Sequence, residues 1–406
     1  MKESRAAKPW QLFLTLAIVL TIYSCKEESS IVGSSIVQTS ENFQFDTLEV
    51  ESFTPSGFRS FTGRLFNAAT GSYNDQVYGQ INTRTLVKPS ITFDPGVEGI
   101  VNVSTINLRM TFDTLNVWGD STQPTRYGIY RAESLWRGIA WKHDDQVVFN
   151  RTNPVATFER SREGTITVPL SDDWIAEFGT FYNAEEVLKD SLFSFEFNGL
   201  VIAPEDDATS NAISFLNIAE TDFLITRDPN SPIDEETEFD IQDWAYEVER
   251  QNNPVPQDRL LLNSTNDVVF SSDFLSQLSQ FSTSNIVNVD LVFYEDVETL
   301  STNLPQDHVR IDANVLETHV GFGLDPNFDL TFGTSDSLGF RSGTANTFRF
   351  NITAYVNAFL FGEIDETEFF FSIVERSGLL SSTLLYNSNA ANAAVRPKLI
   401  VTTLEE

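Results

Sequence analysis

The sequence predicts an all-β chain made of two copies of one unit, and three observations carry that expectation. First, apolar and polar residues alternate with a period of two. Ile106, Leu108, Met110 and Phe112 are interleaved with Asn107, Arg109, Thr111 and Asp113, and Phe193, Phe195 and Phe197 with Ser194, Glu196 and Asn198, as in strands with one dry and one wet face. Second, helix-period stretches are short and few: 183–189, 273–281 and a third candidate at 235–249. Third, strand-like segments recur in order. Residues 105–112 resemble 288–295, 165–170 resemble 349–354, 193–198 resemble 369–374, and 223–226 resemble 398–402; matched apolar positions (Leu108 to Leu291, Val168 to Ile352, Phe195 to Phe371, Leu224 to Leu399) are 183, 184, 176 and 175 residues apart. The step of eight falls where the first copy carries an extra segment, 182–190.

The chain opens with a basic leader (Lys2, Arg5, Lys8), an apolar run over 12–22, and Ser24 ahead of the only cysteine, Cys25. This is a secretory signal pattern, too short for a convincing membrane span. Ile22-Tyr23-Ser24-Cys25 resembles a bacterial lipobox, with Tyr23 bulkier than usual, and the resemblance implies a thioether-linked diacylglycerol on Cys25. Each buried CH₂ of an acyl chain contributes ~0.8 kcal/mol, so several chains on one cysteine would hold a protein durably at a membrane. Lys26, Glu27 and Glu28, followed by two serines, resemble the short acidic export signal of surface-exposed lipoproteins in Bacteroidota-type bacteria. The implied location is the outer membrane, lipid-anchored and facing the exterior.

The expected organisation is therefore a signal peptide (1–24), the lipidated cysteine and a Ser-rich tether (25–41), a first β-sandwich (42–226), an acidic Pro-bounded linker (227–258) and a second β-sandwich (259–406). The linker reading rests on Pro229, Pro232, Pro254 and Pro256 at its ends and on Asp234, Glu235, Glu236 and Glu238 between, with one helical turn around Phe239, Trp244 and Val248. The formal charge is −32; removing residues 1–24, with three basic and one acidic residue, leaves 23 basic against 57 acidic, or −34. Such a charge argues against nucleic acid or an anionic membrane face as a partner, and for solubility at a crowded surface. With a single cysteine there is no internal disulfide, and the 34 Phe supply burial instead.

Gly71-Ser72-Tyr73-Asn74-Asp75-Gln76-Val77-Tyr78-Gly79 resembles the "GSYxDPxFG" segment of a family of uncharacterised Bacteroidota lipoproteins, with Gln76 where that family has proline. That family is of unknown function and implies no activity. Trp136 and Trp141, then Asn153-Pro154, then the strand 165–170 leading to Trp174, resemble the "W…tW…P…fdvT…W" progression of DNRLRE-type β-sandwiches, related to carbohydrate-binding jelly rolls. The second copy ends in Arg396-Pro397-Lys398-Leu399-Ile400-Val401-Thr402, similar to the "RPkLvVtY" closing strand of those modules. The first copy lacks that Arg-Pro and the second lacks the Trp pair. The resemblance implies two tandem jelly-roll-like β-sandwich domains.

Chemistry is sparse. His143, His308 and His319 show no metal-ligand spacing, no nucleophile motif with supporting context occurs, and Gly321-Phe322-Gly323 lacks the strand-to-helix setting of a phosphate loop. Asp172, Asp173, Glu205, Asp206, Asp207 and Asp325 are loop carboxylates that would either be solvated or hold Ca²⁺ as a structural ion; no other cofactor is implied. Trp118, beside Gly119-Asp120, is the candidate ligand-binding aromatic, because an exposed ring stacks on a pyranose; Trp136 and Trp141 read as packing residues. The expected function is a non-catalytic interaction or scaffold subunit of a cell-envelope complex, with other envelope proteins as partners. The alternatives are a glycan-binding lipoprotein and a carboxylate-dependent hydrolase.

Overall fold

The computed structural model describes residues 42–404, apart from 58–59, 76–78, 92–102, 121, 161–163, 228–235, 252–255, 264–267, 282–284, 300–319, 324–336, 343–346, 365–368, 374–376 and 381. Cys25, Lys26, Glu27, Glu28, His308, His319 and Asp325 lie outside the described residues.

Two short strands come first, β1 (Phe43–Glu49) and β2 (Thr54–Gly57). The first sandwich follows: β3 (Asn67–Asp75), β4 (Gly79–Pro89), β5 (Val103–Gly119), β6 (Thr125–Arg131), β7 (Ala156–Arg160), β8 (Thr165–Pro169), helices α1 (Asp172–Tyr182) and α2 (Glu186–Phe195), then β9 (Leu200–Pro204), β10 (Ala212–Asn217), β11 (Asp222–Arg227) and β12 (Glu236–Gln251). The second contains β13 (Arg259–Asn263), β14 (Val268–Ser272), β15 (Ile286–Tyr294), β16 (Val320–Gly323), β17 (Ser337–Ser342), β18 (Thr347–Asn351), helix α3 (Thr353–Leu360), β19 (Phe369–Ile373), β20 (Ser382–Tyr386) and β21 (Lys398–Leu404).

The pairing makes each sandwich a jelly roll. In the first, β3 pairs with β10, both β10 and β11 pair with β5, and β5 pairs with β8; the opposite layer runs β4, β9, β6, β7. In the second, β13 pairs with β20, β21 with β15 and β15 with β18, opposite β14, β19, β16, β17. The period-two pattern does its expected work: Ile106, Leu108, Met110 and Phe112 are buried on one face of β5, and Val289, Leu291 and Phe293 on one face of β15. In both copies a helix follows the same strand. Trp174, Phe178 and Tyr182 stand four apart on α1 and are buried, Trp174 stacking on Phe178 at 5.1 Å.

The two copies share their register. Ile106 faces Ile225 and Val289 faces Val401; Leu170 donates its amide to the Ile106 carbonyl and Ile352 to that of Val289, both at 2.9 Å. Three of the four repeats read from the sequence fall on these matched strands, with the second slipped by two residues and the fourth by one. The third does not. Residues 193–198 are the end of α2 and the turn after it, whereas Phe369–Ile373 is β19; its counterpart is β9, which starts after Gly199 at φ +72°. The Phe193, Phe195, Phe197 alternation comes from a helix end, where Phe197 turns into the core and Phe195 stays exposed.

The linker expectation is also corrected: residues 236–251 form β12, the longest partner of β4, and carry no helical turn. Its first five residues pair with β11 and the rest crosses the corner to β4. Beyond Asp243 the strand is buried on both faces, which erases the alternation that would have announced it. Among the described residues no such strand follows β21 in the second jelly roll. Instead β1 pairs with β21 and β2 with β14, so residues 43–57, expected in the first sandwich, supply the corresponding strand of the second. Val50, just past β1, donates to Pro397 O ahead of β21 at 3.0 Å, and Ser90, just past β4, donates to Asp240 O of β12 at 3.1 Å. The first jelly roll is thus inserted within the second.

Leu261, Leu379, Leu380 and Leu384, from β13, β20 and the segment before β20, join the core of the first jelly roll. Asn67 donates both its backbone amide (2.7 Å) and its side-chain amide (2.8 Å) to Ser377 O across the same junction.

Candidate interaction surface

The β4–β9–β6 layer has apolar residues on its outer face too: Leu86, Tyr130, Val201 and Ala203 point away from the main core, as does Ala245 of β12. Residues 132–155 fold back over them with Trp136, Trp141 and Val147, forming a second, thin core. The Trp pair meets edge to face at 6.3 Å, and Trp136 Nε1 donates to Asn198 O at 2.6 Å.

Lys88 of β4 enters this layer and is 1% exposed. Its Nζ donates to Trp136 O at 3.0 Å and lies 4.8 Å from the Trp136 ring and 5.3 Å from that of Phe193. Burial pulls its pKa down to about 8, with Asp243 opposing and Arg137 adding to the fall. The Asp243 carboxylate accepts from Gly138 N at 3.0 Å and Arg64 Nε at 3.1 Å. Nearby, Arg84 pairs with Glu247, with Asp207 at 3.3 Å and with Glu249 at 3.4 Å, while Arg151 grips Asp207 at 2.8 and 2.9 Å. Phe149 lies between the two guanidinium groups, 6.0 Å from Arg84 and 5.6 Å from Arg151. Burial raises the pKa of the Glu247 carboxyl against the opposing pull of Arg84 and of the Val147 amide.

On top of this rigid base sits an apolar surface. Ile139 is 68% and Phe195 65% exposed, and Leu135, Val187 and Leu188 are also open to solvent. Arg137 ties the loop to the helix, its guanidinium 5.0 Å from the Phe195 ring. Helix α2 is inverted: Lys189 is buried beside Tyr182 and paired with Glu186 at 3.0 Å, while Val187 and Leu188 face water. Neither part has room in the second copy. Seventeen residues separate α1 from β9 but eight separate α3 from β19, and 24 separate β6 from β7 but 13 separate β16 from β17.

The sequence-derived sites fare differently. Trp118 is corrected: it is 4% exposed, opposite Ile213 within the main core, because it falls on the inward phase of β5 and the Gly119 turn lies beyond it. No sugar can stack on it. Trp136 and Trp141 are buried. His143 is buried with Nδ1 3.4 Å from Ser60 Oγ. Asp172 and Asp173 occupy the first turn of α1, where the helix dipole favours them. Asp206 accepts from Ala208 N at 2.9 Å and Asp207 is held by two arginines. Among the described residues no group of three or more His, Cys, Asp or Glu is placed to hold a metal. Residues 71–75 and Gly79 of the motif lie in the β3–β4 pairing, with Ser72 Oγ donating to Asn82 Oδ1 at 2.6 Å.

No family model matches the chain, and no curated protein does. Among solved structures, the infectious bursal disease virus VP2 subviral particle is 11% identical at TM-score 0.11, covering 93% of this chain and 81% of that one. The structure of the Gx strain of that virus is 10% identical at TM-score 0.09, covering 90% of this chain and 78% of that one. Among the described residues no helix is long and apolar enough to cross a membrane.

Leu135, Ile139 and the buried Lys88 went unnoticed in the sequence, and Phe195 read there as a strand residue. The available signal was the helix-coded 183–189 segment holding apolar residues next to a loop Trp pair.

Proposed function

We propose that the protein is a lipid-anchored, non-catalytic interaction subunit of a cell-envelope complex, held to the outer membrane through Cys25 and displayed outward with Lys26, Glu27 and Glu28 as the export signal. The observation that supports this reading best is the apolar surface of Leu135, Ile139 and Phe195, built by two insertions that one jelly roll has and its twin lacks. An apolar patch resting on a thin core is costly to maintain in water and characteristic of a docking site. The glycan-binding alternative loses its platform with Trp118 in the core, and a carboxylate hydrolase loses Asp207 to its arginines.

The test is affinity purification of the full chain from membranes solubilised in mild detergent, after crosslinking on intact cells. A partner should be recovered with the native chain and lost with the Ile139→Ser/Phe195→Ser double variant. Recovery of monomer alone, crosslinked or not, would overturn the proposal.

A further inference from the structure

The outward face of β1 carries Phe43, 47% exposed, and Phe45, 69% exposed, side by side at the edge of the second jelly roll. The fold does not ask for them there. By register Phe45, facing Thr402, stands where the first jelly roll places Glu236, facing Thr226, and Thr47 stands where it places Glu238. In that copy Glu238 joins Arg109 and Asp222 in an ion triad on the same outer face. One twin has thus charged this surface and the other has greased it.

On this face Glu49 is matched by Arg396 at 3.0 Å and Asp290 by Arg349, and Lys398 adds a further positive charge above the Tyr294 ring at 4.8 Å. Two acidic and three basic groups make it slightly cationic in a chain of formal charge −32. Leu404, opposite Phe43, and Ile400, opposite Thr47, continue the apolar strip inward. The chain also runs from this strand towards Cys25, with 17 residues between Cys25 and Phe43. A random-coil segment of 17 residues has a root-mean-square span of about 23 Å.

We infer that the outward face of β1 lies against the lipid bilayer, Phe43 and Phe45 entering the headgroup region with Arg349 and Lys398 beside the phosphates. This deepens the anchoring part of the proposed function and rests on it. A short tether, exposed aromatic side chains at its end and the basic groups beside them converge on one occupant, a lipid bilayer.

The test places an environment-sensitive fluorophore at Thr47→Cys, on the same face and leaving both phenylalanines in place, in full-length mature protein on phosphatidylethanolamine–phosphatidylcholine vesicles. A Glu238→Cys label is the control. A parallel set carries Cys25→Ser and an N-terminal hexahistidine held by nickel-chelating lipid, and Cys25 acylation is read separately by mass spectrometry. The residue 47 label should shift to the blue and be quenched by lipid-borne nitroxide, the residue 238 label should do neither, and Phe43→Ser/Phe45→Ser should abolish both effects without lowering the melting temperature. Shift and quenching on nickel vesicles with Cys25 unacylated would support the face while removing the native anchor. Acylated Cys25 with a water-like signal at residue 47 would overturn the inference and leave the anchor standing. A blue shift without lipid that grows with protein concentration would assign the face to a second copy and overturn it too.

Discussion

The Lys88 ammonium donates to the main-chain carbonyl of Trp136 at 3.0 Å while lying 4.8 Å from the ring of the same residue, so one tryptophan meets a buried cation with both its backbone and its side chain. That cation is the pin between β4 and the loop that carries Leu135 and Ile139. Its pKa, lowered by burial from 10.5 to about 8, is a statement about folding. Between pH 8 and about 10 the unfolded chain binds more protons at this site than the folded one, so this contribution to stability rises with pH through the window. In denaturant titrations the native protein should gain on the order of 2 kcal/mol from it. Lys88→Met should lose that rise; an unchanged slope in the variant would show that Lys88 is not the titrating group.

The Arg84–Glu247 pair is buried at the carboxylate end, and Glu247 also accepts from Val147 N at 3.2 Å. Removing Arg84 strands the buried Glu247 carboxylate, whereas removing Glu247 leaves Arg84 with Asp207 and Glu249. Arg84→Met should cost about 3–5 kcal/mol, with much of the loss recovered by a simultaneous Glu247→Ala. Chemical unfolding of the two single variants and the double would show it, and strictly additive losses would argue against coupling.

Gly63 and Gly138 pass so closely that a Cβ on Gly63 would fall onto the Gly138 carbonyl, and a Cβ on Gly138 would meet Trp244 O and the Asp243 carboxylate. Gly63→Ala should therefore destabilise by more than about 2 kcal/mol and raise protease cleavage within 132–155 before the rest of the chain unfolds. Cleavage spread evenly over the chain would contradict a local effect.

How legible this fold was depends on how local each determinant is. Leu108 and Leu291 announce matched strands because each is buried on one face and their neighbours are wet, so the alternation survives in the sequence. Trp118 obeys the same rule, but its turn-side neighbours Gly119 and Asp120 suggested exposure, and only the pairing of Val117 with Ser214 and of Trp118 with Ile213 fixes the phase. Trp244 and Tyr246 lie in a strand buried on both faces, where no period remains to be seen. Phe43 and Phe45 read correctly as extended, yet their partner is more than 350 residues away. Nothing local in β1 says which jelly roll it completes. Lys88 was invisible because burial of a lysine is decided by the loop folding over it.

That long-range strand gives the sharpest test of the architecture. Val50 is buried in the second core, and Phe53 lies 5.5 Å from Phe293. A chain beginning at residue 58 keeps every strand of the first jelly roll but removes β1 and β2, exposing the edges of β21 and β14. Tryptophan emission should report the loss selectively, because Trp118, Trp136, Trp141, Trp174 and Trp244 all lie in the first jelly roll and the sixth, Trp10, precedes the strands. The truncated chain should keep its native tryptophan spectrum while hydrogen exchange over β15, β18 and β21 accelerates at least tenfold, the equivalent of about 1.4 kcal/mol. A synthetic peptide of residues 42–57 added in excess should restore protection by pairing with the open edges. Protection unchanged by the truncation, or a collapse of both jelly rolls together, would show that residues 43–57 do not complete the second fold in the manner β12 completes the first.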